Sequence, residues 1–199
     1  MDNYKILISV ISKAIKDLGY KKSGNNFFYN QGENIGMINF QKSKSNSSEI
    51  VLFTINLGVY SSSLKIFDQP GINSKPSISD CHWRQRIGFL LPEEKDYWWQ
   101  IDTTVSLDHL IAEVSDVLIS IAIPEIKKHI ADESLQEYWM NGISSGLTEQ
   151  QMYLYLIVLL KAGNSSSLCK KVEELKALSK GKPFEQNVKE CLSDIGIYD

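Results

Sequence analysis

The chain has 199 residues, 43% of them hydrophobic and 23% charged, and a net charge of −3. That is ordinary globular composition, with enough length to bury a core without disulfide or metal staples and too little polar bias for a disordered chain. No segment reaches the roughly 18 apolar residues of a membrane-spanning helix, since the longest run is Met152 to Leu160. The three cysteines (Cys81, Cys169, Cys191) are odd in number and never at C-x-x-C spacing, which argues against a disulfide framework and against the usual zinc site. The N-terminus lacks a basic segment followed by an apolar block and cleavage site, so the expected location is cytoplasmic.

The first predicted element is an amphipathic helix. Tyr4, Leu7, Ile8, Ile11, Ile15 and Leu18 recur at helical spacing, and Gly19 stands where a C-terminal capping glycine belongs. Lys21 to Asn26 reads as a turn. Three strand-like runs follow at Phe27–Tyr29, Ile35–Gln41 and Glu49–Tyr60. In the last of these Val51, Phe53, Ile55, Leu57 and Val59 alternate with their neighbours, the period of a half-buried strand. Asn46, Ser47 and Ser48 suit a hairpin turn before it. Residues 61–80, with Pro70, Gly71 and Pro76, read as a long loop. Cys81–Leu91 is a predicted fourth strand with Trp83, Ile87, Phe89 and Leu91 on one face, and Tyr97–Ile101 a short fifth.

Everything after Ser106 reads as helix. Leu107, Leu110, Ile111, Val114, Val117, Leu118 and Ile121 form one stripe behind Ser106 as N-cap, and Pro124 should end or kink it. Residues 131–141 form a further short helix. Thr148 to Gln151 is a capping box with Leu147 placed to staple onto Met152, and the helix it opens stops at Gly163. Two more apolar stripes, Leu168 to Leu178 and Phe184 to Ile195, complete the chain. Strands first and helices later imply an α+β fold: an antiparallel sheet of about five strands, an N-terminal helix, a long helix after the sheet, and a C-terminal helical appendage. The expected division is an α+β domain over 1–130 and a helical tail over 131–199 packed on it as one structural unit.

Certain short runs occur together in order: Asn39-Phe40-Gln41-Lys42-Ser43, Phe53-Thr54-Ile55-Asn56-Leu57-Gly58-Val59-Tyr60, Cys81-His82-Trp83-Arg84-Gln85-Arg86-Ile87-Gly88, and Trp98-Trp99. In these the chain resembles the bacterial family catalogued as domain of unknown function 4304, over roughly residues 3–130. The resemblance implies one compact domain and carries over no catalytic residue. Families of this kind turn up among small proteins that neutralise secreted bacterial toxins, an association and not a mechanism.

The most chemical stretch is Cys81 to Arg86. On a strand, His82, Arg84 and Arg86 would share one face, near Asn56 of the preceding strand. Two guanidinium forks beside a histidine suit a phosphate or carboxylate. The competing reading is the solvent face of a one-sided sheet, its arginines paired with acids. Cys81 would point to the opposite face from His82, which suits packing better than a nucleophile–base pair. No nucleophile elbow, zinc-protease helix or phosphate loop is present, so no catalytic residue and no cofactor is expected. His109 and His129 read as helix-surface residues without metal partners.

Charge is unevenly spread: residues 1–92 carry 11 Lys+Arg against 6 Asp+Glu, residues 93–137 carry 3 against 11. The acidic segment holds Glu93, Glu94, Asp96 and Asp102 around Trp98 and Trp99, one tryptophan of which should turn inward. An acidic surface beside an exposed tryptophan suits docking on a basic protein, and a toxin domain is the expected partner. Scattered Lys and Arg speak against nucleic acid, and no membrane partner is expected. The alternative is an enzyme or small-ligand protein that uses the arginines on an anionic substrate.

Overall fold

The computed structural model describes residues 3–47, 49–68, 75–144 and 146–198. An N-terminal helix α1 (Asn3–Ala14) leads into six antiparallel strands: β1 (Lys21–Ser23), β2 (Asn26–Gln31), β3 (Asn34–Lys42), β4 (Val51–Tyr60), β5 (Trp83–Arg86) and β6 (Trp99–Ile101). They pair in the order β1-β2-β3-β4-β5. β6 lies beside β4 on the same edge as β5: Asn56–Val59 of β4 pair with β5, and Val51–Phe53 pair with β6. Then come α2 (Leu107–Val117), α3 (Ile123–His129), α4 (Asp132–Met140), α5 (Glu149–Ala162), α6 (Leu168–Ser179) and α7 (Glu185–Asp194). The fold is α+β, with a helical C-terminal portion.

The inner face of the sheet is apolar because its strands alternate. Phe53, Ile55, Leu57 and Val59 of β4, Ile38 and Phe40 of β3, Phe27 of β2 and Trp83 of β5 are all buried together. Rings run across this face in contact, Phe27 to Phe40 at 5.6 Å, Phe40 to Phe53 at 5.9 Å and Phe53 to Trp99 at 5.5 Å between centroids. Such aromatic cross-strand pairs fix register beyond what area burial supplies. α1, α2 and α3 cover this face through Leu7, Ile11, Leu110, Val114 and Ile126.

Several boundaries differ from the sequence expectation. Lys21–Asn26 is not a simple turn: it contains β1 and the tight reversal at Gly24, φ +60°, that returns the chain into β2. The predicted fourth strand ends at Arg86 and passes into a 3-10 turn over Ile87–Leu90. Within 61–80, Ser62–Phe67 forms another 3-10 turn, while Pro70 and Gly71 lie outside the described residues, as does Ser48. Pro124 neither ends nor breaks the long helix. A π turn over Leu118–Ala122 precedes it, and the missing N–H and ring bulk are absorbed at the start of α3.

Helices α4 and α5 send Leu135, Trp139, Met152, Leu156 and Leu160 into the core under the sheet. The opposite side of α5, with Leu154 and Ile157, joins Val172, Leu175, Val188 and Leu192 in a second cluster. The predicted capping box is present: Thr148 Oγ1 accepts from Gln151 N at 3.2 Å, and Gln151 Oε1 accepts from Thr148 N at 3.1 Å.

Candidate functional site

The outer face of the sheet carries the candidate site, and its two adjacent rows of residues differ in kind. One row runs Asn26, Asn39, Asn56, Arg86 across β2, β3, β4 and β5. Its side chains bond in sequence: Asn39 Nδ2 donates to Asn26 Oδ1 at 2.6 Å, Asn56 Nδ2 to Asn39 Oδ1 at 3.0 Å, and Arg86 Nε to Asn56 Oδ1 at 3.2 Å. Asn56 Nδ2 also reaches Gln41 Oε1 at 2.9 Å. The next row runs Phe28, Met37, Gly58, Arg84. It is apolar up to its last member. Phe28 and Met37 are buried with Cys81 under the segment that precedes β5, with Ile78 packed alongside.

Gly58 allows that covering. A Cβ there would lie 2.6 Å from Cys81 Sγ and 2.9 Å from Ile78 Cδ1. Burial pushes the Cys81 thiol up to about 12, so it remains a neutral packing group at neutral pH.

The two arginines meet different fates. Arg86 is neutralised: Nη1 binds both oxygens of Asp96, at 2.9 and 3.0 Å, and the ring of Trp98 lies 5.6 Å from its guanidinium carbon. Trp98 Nε1 donates to Asp96 Oδ2 at 3.0 Å. The Trp98 hydrogen bond, and then Arg86, hold the Asp96 carboxyl below the usual range. Arg84 donates to Gly146 O at 2.6 Å, and no carboxylate among the described residues pairs with it. Its Nε is buried without an acceptor. Between and beside the two guanidinium groups opens a cleft of about 430 Å³, lined by Gln41, Asn56, Ser79, Gln85, Phe89 and Gly146 among others.

The other expected site residues separate. His82 does not line the cleft with the arginines. It is buried instead. Its Nδ1 accepts from Ser61 N at 3.1 Å, and its ring lies 5.0 Å from both Tyr60 and Tyr155. Burial lowers its pKa to about 4. Beside it Asp132, the first residue of α4, accepts from Ser61 Oγ at 2.6 Å, Ser63 Oγ at 2.5 Å and Asn34 Nδ2 at 2.8 Å. This network fastens α4 to the ends of β3 and β4. His129, expected on a helix surface, is 2% exposed, stacked 4.6 Å from Trp83 with Nε2 2.9 Å from Glu125. Both rings went inward because the sheet edge and α4 close over them; His109 stays exposed.

In the acidic segment the structure divides the set. Glu93, Glu94 and Asp96 are exposed, Trp98 is half-buried, and Trp99 is buried with Nε1 donating to Glu113 at 2.7 Å. Asp102 serves its own loop, accepting from Thr104 N at 2.7 Å and Val105 N at 3.1 Å. Hydrogen bonds from Gln100 and Thr104 hold its carboxyl down at about 2. Phe89, expected inside, is 49% exposed on the cleft wall, because the 3-10 turn rotates it out of the strand's alternation. Gly146, a full 62 residues from Arg84, carried no sequence signal for its place at the cleft beyond a loop glycine. Among the described residues no three His, Cys, Asp or Glu side chains gather as metal ligands would.

Fold and site together define an α+β protein with one sheet face buried and the other shaped into an arginine-floored cleft under an acidic rim. The chain belongs to the family described as domain of unknown function DUF4304, whose model matches residues 11–128. That span holds the sheet, both arginines and the rim; the fastening Asp132 and the Gly146 contact lie beyond it. No curated protein and no solved structure matches the chain.

Proposed function

We propose that this protein is a protein-binding inhibitor of the immunity or antitoxin type, acting in the bacterial cytoplasm by covering the active site of a toxin. The observation that carries the reading is the rim: Trp98 clamped on Arg86 and Asp96, with exposed Glu93 and Glu94 five and four residues before the tryptophan. Tryptophan and arginine supply much of the energy at protein interfaces, and side chains already fixed before docking lose little entropy on it. Exposed carboxylates around such an anchor speed encounter with a basic surface. A nuclease toxin, whose cleft must attract phosphates, offers that surface. Three unpaired cysteines fit a reducing compartment.

The test starts from the native host. A stoichiometric partner encoded beside this chain, whose toxicity the chain suppresses, identifies the pair. Glu93→Lys with Glu94→Lys should then slow association about tenfold at low salt, and the difference should fade at high salt. Trp98→Ala should raise the dissociation constant at least about tenfold. Wild-type rates and affinity in both variants would remove the rim from the interface.

A further inference from the structure

We infer that the cleft between Arg84 and Phe89 is an oxyanion-binding site, which takes a carboxylate or phosphate group carried on an apolar or aromatic body. The inference stands on the cleft floor and is independent of protein docking at the rim.

A guanidinium on an antiparallel sheet can be satisfied by the side chains opposite it. Arg86 stands opposite Asn56, which accepts from its Nε, while Asp96 takes Nη1. Arg84 stands opposite Gly58, and beyond Gly58 lie Met37 and Phe28. The sheet can offer it nothing. Of five guanidinium donors, one reaches Gly146 O. The others have no protein acceptor among the described residues, and one of them is buried. Leaving a charged donor group this poorly matched costs free energy that an oxyanion would recover.

The surroundings suit such a ligand. Ser79, Gln41 and Asn56 line the cleft as neutral polar groups. The Arg86 charge beside it is already balanced by Asp96. One cation is thus left over, which matches one anionic group. Phe89, 49% exposed, forms an apolar wall. The cavity of about 430 Å³ is large enough for a ligand body as well as its anionic head.

The full chain can be titrated with inorganic phosphate and, separately, with benzoate, at constant ionic strength kept by chloride, while ¹H–¹⁵N spectra follow the Gln85, Phe89 and Gly146 amides and the Arg84 Nε–H. Saturable shifts at these positions are expected. Arg84→Gln should weaken both probes at least about tenfold. Phe89→Ala should weaken benzoate several-fold and leave phosphate unchanged, which separates the body from the head. Shifts that grow without saturating or spread over surface lysines overturn the site, as does wild-type binding in Arg84→Gln. If Arg84→Gln loses spectral dispersion, Arg84→Lys decides. It keeps the charge and loses the planar fork, so phosphate should bind several-fold more weakly, and undiminished binding overturns the role of Arg84. A chain that docks its partner yet binds neither probe refutes this inference and leaves the docking reading standing; the reverse result does the opposite.

Discussion

Acid should destabilise this protein through one buried ring. His82 is 2% exposed, and burial lowers its pKa from 6.5 to about 4, with Arg84 adding to the depression while Asp132 and Asp80 oppose it. In the unfolded chain the imidazole takes up its proton near pH 6.5; in the folded chain it waits until about pH 4. Between those values the unfolded state binds more protons, so stability falls as pH falls. The contribution of neutral His82 is therefore complete above about pH 6.5 and is lost progressively down to about pH 4, at about 1.4 kcal/mol per pH unit, or roughly 3 kcal/mol in all. For a chain of this length that corresponds to about 6–12 °C in Tm. Thermal melts followed by near-ultraviolet circular dichroism at pH 7, 6, 5 and 4, for the wild type and for His82→Gln, isolate the effect. Carboxylates, and His129 whose pKa burial also lowers, contribute alike to both proteins and cancel in the difference. The wild type should lose roughly 3 kcal/mol more than the variant across the range. Parallel curves would refute the assignment of His82 as a neutral ring held by Ser61 and two tyrosines.

Two further substitutions probe how the site is held. Gly88→Ala would place a Cβ 2.6 Å from Tyr97 N and closer still to Lys95 O, so the crossing that carries the rim must shift. A cost of about 3 kcal/mol is expected, with a changed Trp98 emission; an unchanged Tm and spectrum would show that this crossing does not position the rim. Thr148→Ala removes the capping hydroxyl of α5 and should cost about 1 kcal/mol in urea unfolding; amide exchange confined to the first turn of α5 should quicken, and exchange that is unaffected there would exclude the cap as a contributor.

The fold was legible where periodicity is strong. Val51 to Val59 declared the inner face of β4 because one side chain in two must be apolar to face helices. Ser106 and the Thr148 box marked helix starts because backbone N–H groups there need side-chain acceptors, and Ser106 does accept from His109 N. The misread stretch, Cys81 to Leu91, failed for a physical reason. Period-two reasoning holds only while the chain stays extended, and this segment is a strand for four residues, Trp83–Arg86, flanked by a bend and a 3-10 turn. His82 and Phe89, one at each end, therefore exchanged their expected places, the polar ring inside and the apolar one at the surface. The signal that could have warned of it was Gly88, where only a residue without a side chain fits against Lys95 and Tyr97. Asn56, Arg84 and Arg86 lie on one face because the strand does hold between them.

Arg84 and Arg86 look interchangeable in the sequence, two positions apart on one strand. What separates them is the residue opposite each on the neighbouring strand, together with the Asp96 carboxylate that only Arg86 reaches. Asn56 gives Arg86 an acceptor and links it to Asn39 and Asn26. Gly58 gives Arg84 none, and the same missing side chain lets Cys81 and Ile78 close over the apolar half of the outer face. A side chain at 58 would have to displace that cover before it could approach Arg84. The glycine thus serves two ends at once: it completes the second, smaller apolar cluster, and it leaves a single unneutralised guanidinium at the border of an open cleft. The ladder beside it is spent on internal bonds and fixes Trp98 through Arg86 and Asp96. A rigid bonded ladder and a spare charge therefore arise from adjacent rows of one sheet face, and substitution in one row need not disturb the other.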